Sequence, residues 1–196
     1  MTAEEWPVDL DGVTESVVTT LGPNGRWNAA ALGLHAGDPV TATTWGNTRT
    51  RRNFDRQGGG YVQFTRDPVL FVEAALSIRE TADPVLDAAD AWVEVAAERV
   101  GAGEDGGTRW ERWELRPLDA GVEREAVPTT NRGYYAVVEA TVAASRLDVD
   151  SYDTAALRDR LAYFEEVVGT CGGERERAAF DRLNELAGWK SQNESF

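Results

Sequence analysis

Residues 40–68, VTATTWGNTRTRRNFDRQGGGYVQFTRDP, decide how the rest of the chain is read. The stretch opens on Val40, Thr41, Ala42, Thr43 and Thr44, a β-branched run whose small and large side chains suit a pleated surface. Trp45, Gly46 and Asn47 break that strand, and a segment of hydroxyls and cations follows: Thr48, Arg49, Thr50, Arg51 and Arg52. Asn53 and Phe54 lead into a triple glycine at 58–60, read as a turn, and a second strand is expected over residues 61–65, ending at Asp67 and Pro68. A strand, a polar cationic loop, a short helix and a strand together present hydroxyls, backbone N–H groups and guanidinium groups to an anion. Three arginines within four residues call for an anionic partner, either a phosphate or the protein's own carboxylates.

That cluster stands out because the chain is acidic. Its 196 residues carry 34 Asp and Glu against 20 Lys and Arg, a net charge of −14, and Lys190 is the sole lysine. Such a surface resembles that of proteins from salt-loving archaea, and it repels nucleic acid and anionic membranes. Hydrophobic residues make up 42%, with seven Trp, enough for a sizeable core in one domain or one domain with an appendage. Cys171 is the single cysteine, so neither an intramolecular disulfide nor a thiolate metal cluster is expected, and it reads as a small, partly buried residue. The first ten residues, MTAEEWPVDL, lack the features of a signal peptide, and no apolar run approaches a membrane span. A soluble cytoplasmic protein is the expectation.

Working outward, residues 13–21, VTESVVTTL, alternate as a strand; Gly22, Pro23, Asn24 and Gly25 form a turn; and residues 26–34, RWNAAALGL, return as its partner. The returning strand is rich in small residues (Ala29, Ala30, Ala31 and Gly33), which indicates either a flat or bulky group close to the backbone or tight sheet packing. His35, the only histidine, reads as a solvated turn residue rather than a base. A short helix follows Pro68, and residues 79–90 read as a connection. Residues 91–100 and 109–117 read as two strands joined by a flexible turn at 101–107. Beyond Asn131, an N-cap, the pattern is helical, with Tyr134, Val138, Thr141, Val142 and Ser145 expected on one stripe. Leu157, Leu161, Phe164 and Val168, then Ala179, Leu183 and Leu186, mark two more helices joined as a hairpin at Gly172 and Gly173.

With one His and one Cys, no Ser-His-Asp set, HExxH or CxxC motif can be assembled, no Walker loop occurs, and no catalytic residue is assigned. What remains is more specific as a set than piece by piece. RWNAAALG at 26–33, TWGNTRTRRNF at 44–54, YVQFTRDPVLFVEAAL at 61–76, NRG at 131–133 and GW at 188–189 resemble an archaeal family of unknown function. That family belongs among the flavin-mononucleotide (FMN)-binding split barrels, alongside flavin reductases and pyridoxamine-phosphate-oxidase-like proteins. Ala31 stands where relatives often have proline, and Gln63 where many have asparagine.

The resemblance implies an α+β fold, a six- to seven-stranded antiparallel split β-barrel over residues 1–147 with a C-terminal helical hairpin over 148–196. It implies FMN as cofactor, a homodimer with the flavin at its interface, and a role as oxidoreductase or electron carrier. The alternatives are a non-catalytic module for flavin or another phosphorylated ligand, and an accessory protein of archaeal cofactor biosynthesis. In this frame Asn28, Ala29, Ala30 and Gly33 lie along the flavin ring with Trp45 over its face, and Thr44, Gly46, Asn47, Thr48, Arg49, Thr50 and Asn53 surround the ribityl phosphate, with Gln63 nearby. Arg132 is either a second anion ligand or a salt-bridge partner, and Trp189 either covers the cofactor or fills a core. No metal site and no nucleic-acid partner are expected.

Overall fold

A computed structural model describes residues 5–190. The elements in chain order begin with β1 (Val13–Leu21), β2 (Trp27–His35), β3 (Val40–Trp45), α1 (Arg49–Gln57) and β4 (Gly59–Phe64). They continue with α2 (Pro68–Leu76), β5 (Arg79–Thr81), β6 (Ala91–Asp105), β7 (Thr108–Val122), α3 (Arg132–Ala144), α4 (Thr154–Cys171) and α5 (Glu174–Ala187). By contacts the chain divides into two units, residues 1–66 with 78–126 and residues 67–77 with 127–196.

The first unit is an antiparallel barrel. Its strands run in the order β1-β4-β6-β7-β3-β2, β1 pairs with β2 to close the ring, and β5 is added on β2. Valine-rich alternation fills the interior: Val18, Leu34, Val40, Ala42, Val62, Val93, Val95, Trp113 and Leu115 form one buried cluster. The Trp113 indole could not be buried with its N–H unpaired, and Thr44 on β3 accepts that proton at 2.9 Å. From α1, Phe54 inserts into the same cluster, 5.2 Å from Trp113 between ring centroids. Burying that ring contributes on the order of 2–3 kcal/mol and fixes the roll of α1 on the barrel.

One edge of β2 is split. Its first residues, Trp27, Asn28 and Ala29, pair with β5, and its last, Leu34 and His35, pair with β3. Between them residues 30–33 have β1 on one side and, among the described residues, no paired strand on the other.

The second unit packs α2, α3, α4 and α5 around Val72, Ala136, Val137, Ala140, Leu157, Leu161, Phe180, Leu183 and Trp189. Asp67, Asn131 and Asp153 cap α2, α3 and α4, each accepting from two backbone N–H groups. Among the described residues no helix is long and apolar enough to cross a membrane, and no group of His, Cys, Asp and Glu is placed to hold a metal.

Several local expectations are corrected. The triple glycine is not simply a turn: Gly58 caps α1 with φ of 70°, whereas Gly59 and Gly60 are strand residues that let neighbouring backbone approach. A Cβ on Gly59 would lie 2.3 Å from the Val95 carbonyl oxygen, and one on Gly60 2.6 Å from that of Thr19. Residues 101–107 are mostly strand; only Gly106 and Gly107 turn, both at positive φ, between the paired Asp105 and Thr108. Strand β7 continues past Pro117 because the ladder bulges there, Val95 facing Pro117 while Glu94 faces Asp119. Residues 79–81, expected as connection, are β5. On α3 the buried face is Ala136, Val137, Ala140, Thr141, Ala143 and Ala144, and of the expected stripe only Thr141 lies on it. The alanines allow close helix approach, and the larger side chains sit at the margins. Helix α3 packs with α2, α4 and α5 in the second unit.

Candidate functional site

The polar residues of the first unit converge on a cleft of about 290 Å³ lined by Gly22, Pro23, Asn24, Asn28, Arg49, Arg52, Asn53, Arg56 and Glu80. Three elements build it. The β1–β2 turn is closed by Gly22 N–H donating to the Arg26 carbonyl at 2.7 Å. Helix α1 begins at Thr48, whose hydroxyl accepts from the Arg51 N–H at 3.3 Å, and ends at Gly58. Positions 49, 52, 53 and 56 recur at helical spacing, so α1 turns one polar face to the turn. The short β5 brings Glu80 opposite Asn28.

The α1 face is held by the barrel. Asn53, buried, donates to the Thr20 hydroxyl at 2.9 Å and to its carbonyl at 3.3 Å. The Asn53 side-chain oxygen accepts from Arg56 at 2.7 Å, and Arg56 also donates to the Leu21 backbone carbonyl at 2.6 Å. Arg52 donates to the Asn47 carbonyl and side-chain oxygens at 2.9 and 3.1 Å and, among the described residues, has no carboxylate partner. Arg49 pairs with Glu80, Nη1 to Oε1, at 2.6 Å. Three guanidinium groups against one carboxylate leave two formal positive charges in the lining. In a chain of net charge −14 that is a local reversal of sign.

The sequence-expected residues fall into four groups. Arg49, Asn53 and Asn28 line the cleft, Thr48 caps the helix that forms it, Thr50 is buried on that helix, and Asn47 orients Arg52. Ala29 is buried beside them, while Ala30 and Gly33 lie on the stretch of β2 without a second ladder partner. A Cβ at Gly33 would meet Val13 at an ordinary 3.5 Å, so no part of the chain itself crowds that position.

Others are employed elsewhere. The Thr44 hydroxyl serves Trp113, Trp45 is half exposed opposite Trp110 at the strand end, and Gly46, at positive φ, donates to the Arg109 carbonyl at 2.7 Å. Gln63 is fully buried and committed: its amide N–H group serves Thr19 and Pro84 at 3.0 and 2.9 Å, and its oxygen accepts from the Leu86 N–H at 2.7 Å. Arg132 and Trp189 belong to the helical unit; Arg132 is exposed at the start of α3, and Trp189 is core, bonded to Asn184.

Arg52, which the sequence offers only as one of three clustered candidates, and Arg56, Asn24 and Glu80, which it does not mark as site residues, also line the cleft. Arginine at 49, 52 and 56 was the signal for the first two, a single face of α1. Glu80 reaches the cleft through a three-residue strand that carries no periodicity of its own.

A model of a family described as protein of unknown function (DUF447), N-terminal domain, matches residues 14–124, and a further model of that family matches residues 131–185. Among solved structures, an FMN-bound protein of the same family from Methanosarcina mazei superposes with a TM-score of 0.76 at 25% identity, covering 90% of this chain and 96% of that one. The styrene monooxygenase flavin reductase of Pseudomonas putida S12 matches at a TM-score of 0.44 and 13% identity, over 60% of this chain and 93% of that one. An FMN-binding protein from Thermus thermophilus matches at 0.40 and 14%, over 63% and 82%. Those last two likenesses are loose.

Proposed function

The chain belongs to the DUF447 family, and from that premise we propose that it is an FMN-binding flavoprotein whose α1 cleft holds the flavin's phosphate. The observation that carries this reading is the charge of the cleft. A phosphate monoester bears close to two negative charges at neutral pH, and the lining offers two net positive ones. Arg49 and Arg52 supply guanidinium N–H groups for charge-assisted bonds, and Arg56, held by Asn53 and the Leu21 carbonyl, adds charge from the last turn of α1. Asn28 opens the strand that continues to Ala30 and Gly33, roughly 7 Å farther along at Ala30. The small side chains of that strand leave space for a flat ring. The family likeness to an FMN-bound protein supports the same assignment.

Bound flavin would supply the redox chemistry, accepting and passing on electrons. The protein's part is to grip the phosphate, orient the ring along β2 and limit water around it. We assign the chain as an oxidoreductase or electron carrier working as a homodimer with the flavin at the interface, in a salt-rich cytoplasm that suits its acidic, arginine-rich surface.

The test is direct. The purified protein should carry, or take up at micromolar concentration, FMN with its visible absorbance, and a nicotinamide cofactor should bleach it anaerobically. Failure to bind FMN removes the reading; binding without reduction leaves a flavin-holding module and removes the enzymatic part.

A further inference from the structure

We propose that Glu80 is the resident counter-ion of the cleft, which engages Arg49 until an incoming phosphate replaces it and which sets how much anionic charge the cleft accepts. This rests on reading the cleft as a phosphate site. The Glu80 carboxylate accepts from Arg49 Nη1 at 2.6 Å and from the Asn24 side-chain amide at 3.3 and 3.2 Å. Its backbone carbonyl accepts from Arg26 at 3.2 Å. Strand β5 is thereby tied to the β1–β2 turn, and the carboxylate lies in the lining itself rather than behind it.

A carboxylate in an anion cleft is unfavourable unless it has a task. Here it fixes the position of the Arg49 guanidinium, and the pair is weak enough to yield. The Arg49 and Glu80 side chains are 41% and 25% exposed, and ion pairs open to water contribute little. A phosphate dianion makes stronger charge-assisted bonds to the same guanidinium. A neutral ligand cannot break the pair. Glu80 therefore makes occupancy depend on charge: a dianion takes its place on Arg49, while an uncharged flavin leaves the Arg49 pair where it is.

Removing the carboxylate should raise affinity for phosphate-bearing ligands. With the carboxylate gone the phosphate no longer competes with a unit charge for the Arg49 guanidinium, which is worth about tenfold in binding. The full chain, Glu80→Gln, Arg49→Gln and the double variant are titrated with FMN, riboflavin and inorganic phosphate, following flavin fluorescence and, for phosphate, the shift in thermal unfolding. Glu80→Gln is expected to bind FMN and inorganic phosphate about tenfold more tightly, to leave riboflavin nearly unchanged, and to lose its advantage once Arg49 is also replaced. Glu80→Ala carries the same expectation should the glutamine variant fold poorly. Unchanged or weaker phosphate binding in both Glu80 variants overturns the proposal, as does a gain that persists without Arg49. If the unaltered chain takes no FMN yet Glu80→Gln still gains phosphate affinity through Arg49, the counter-ion role stands and the flavin assignment falls.

Discussion

Arg51 of α1 and Glu111 of β7 meet, Nη1 to Oε1 at 3.2 Å, and the Glu111 carboxylate, which Arg99 and Arg109 also contact, has no solvent exposure. Arg51 thus turns away from the cleft that Arg49 and Arg52 line. It anchors the first turn of α1 to β7, and its neighbour Asp55 adds a weaker contact at 3.4 Å. Of the three clustered arginines, Arg51 serves carboxylates away from the cleft, Arg49 pairs with the carboxylate in its lining, and Arg52 lines it with no carboxylate partner among the described residues.

Glu111→Ala should therefore be costly, because it leaves a largely buried arginine with only the weaker Asp55 contact for counter-charge. The expected loss is about 3–5 kcal/mol in urea unfolding, while Arg109→Ala, on a side chain 59% exposed, should cost far less. A Glu111→Ala variant within 1 kcal/mol of the parent would contradict the anchoring role.

Gln63→Leu tests the tether beneath β4. The substitution keeps the volume but strands the Leu86 N–H, and one unsatisfied buried donor costs about 1–3 kcal/mol. Stability should fall by that amount and proteolysis around residues 84–86 should accelerate. Unchanged cleavage would show that the loop is held by other means.

Two glycine-to-alanine changes should have opposite signs. At Gly59 the new Cβ meets the Val95 carbonyl oxygen at 2.3 Å, so the β4–β6 ladder must shift and stability should drop. At Gly169, inside α4, nothing lies within 4 Å, and removing helical glycine should stabilise by about 0.5–1 kcal/mol. Calorimetry of the two variants decides both.

Acid sensitivity has one identifiable source in Asp90. A hydrogen bond from Arg66 is the main cause holding its carboxyl below the ordinary value, opposed by burial and aided by the Arg66 and Arg124 charges. A lowered folded-state pKa means that its stabilisation is present above the unfolded carboxylate range, about pH 4, and is lost as pH falls through the folded value. Asp90→Asn should remove that stabilisation at neutral pH and flatten the acid limb, so that parent and variant converge as pH falls. An identical acid limb in the variant would rule Asp90 out as its source.

Much of this was legible where a pattern repeats locally. Val40, Ala42 and Thr44 are buried in alternation, as the period-2 reading of β3 requires, and Leu157, Leu161 and Val168 form the buried face of α4. The reach of β6 and β7 was not, because Gly101 and Gly103 look like turn residues until Trp110 is seen lying against them across the ladder; a Cβ at Gly103 would sit 2.6 Å from that ring. The site divides the same way. Thr48 and Arg49 could be read from composition and order, but which arginines share a face with Arg49 depends on how Phe54 sets the roll of α1. Glu80 depends on strand pairing with Trp27, Asn28 and Ala29, a contact between segments distant in sequence.

The central claim is that this cleft grips a flavin phosphate, and Arg52 tests it with least interference because its partners are Asn47 oxygens rather than a carboxylate. FMN and riboflavin are titrated against the parent and Arg52→Gln, with Arg49→Gln in parallel. Each variant should weaken FMN by about tenfold or more, the worth of a charge-assisted contact, and shift riboflavin by less than about twofold, because riboflavin has no phosphate for that contact to act on. Equal losses for both ligands, or none for either, would contradict it.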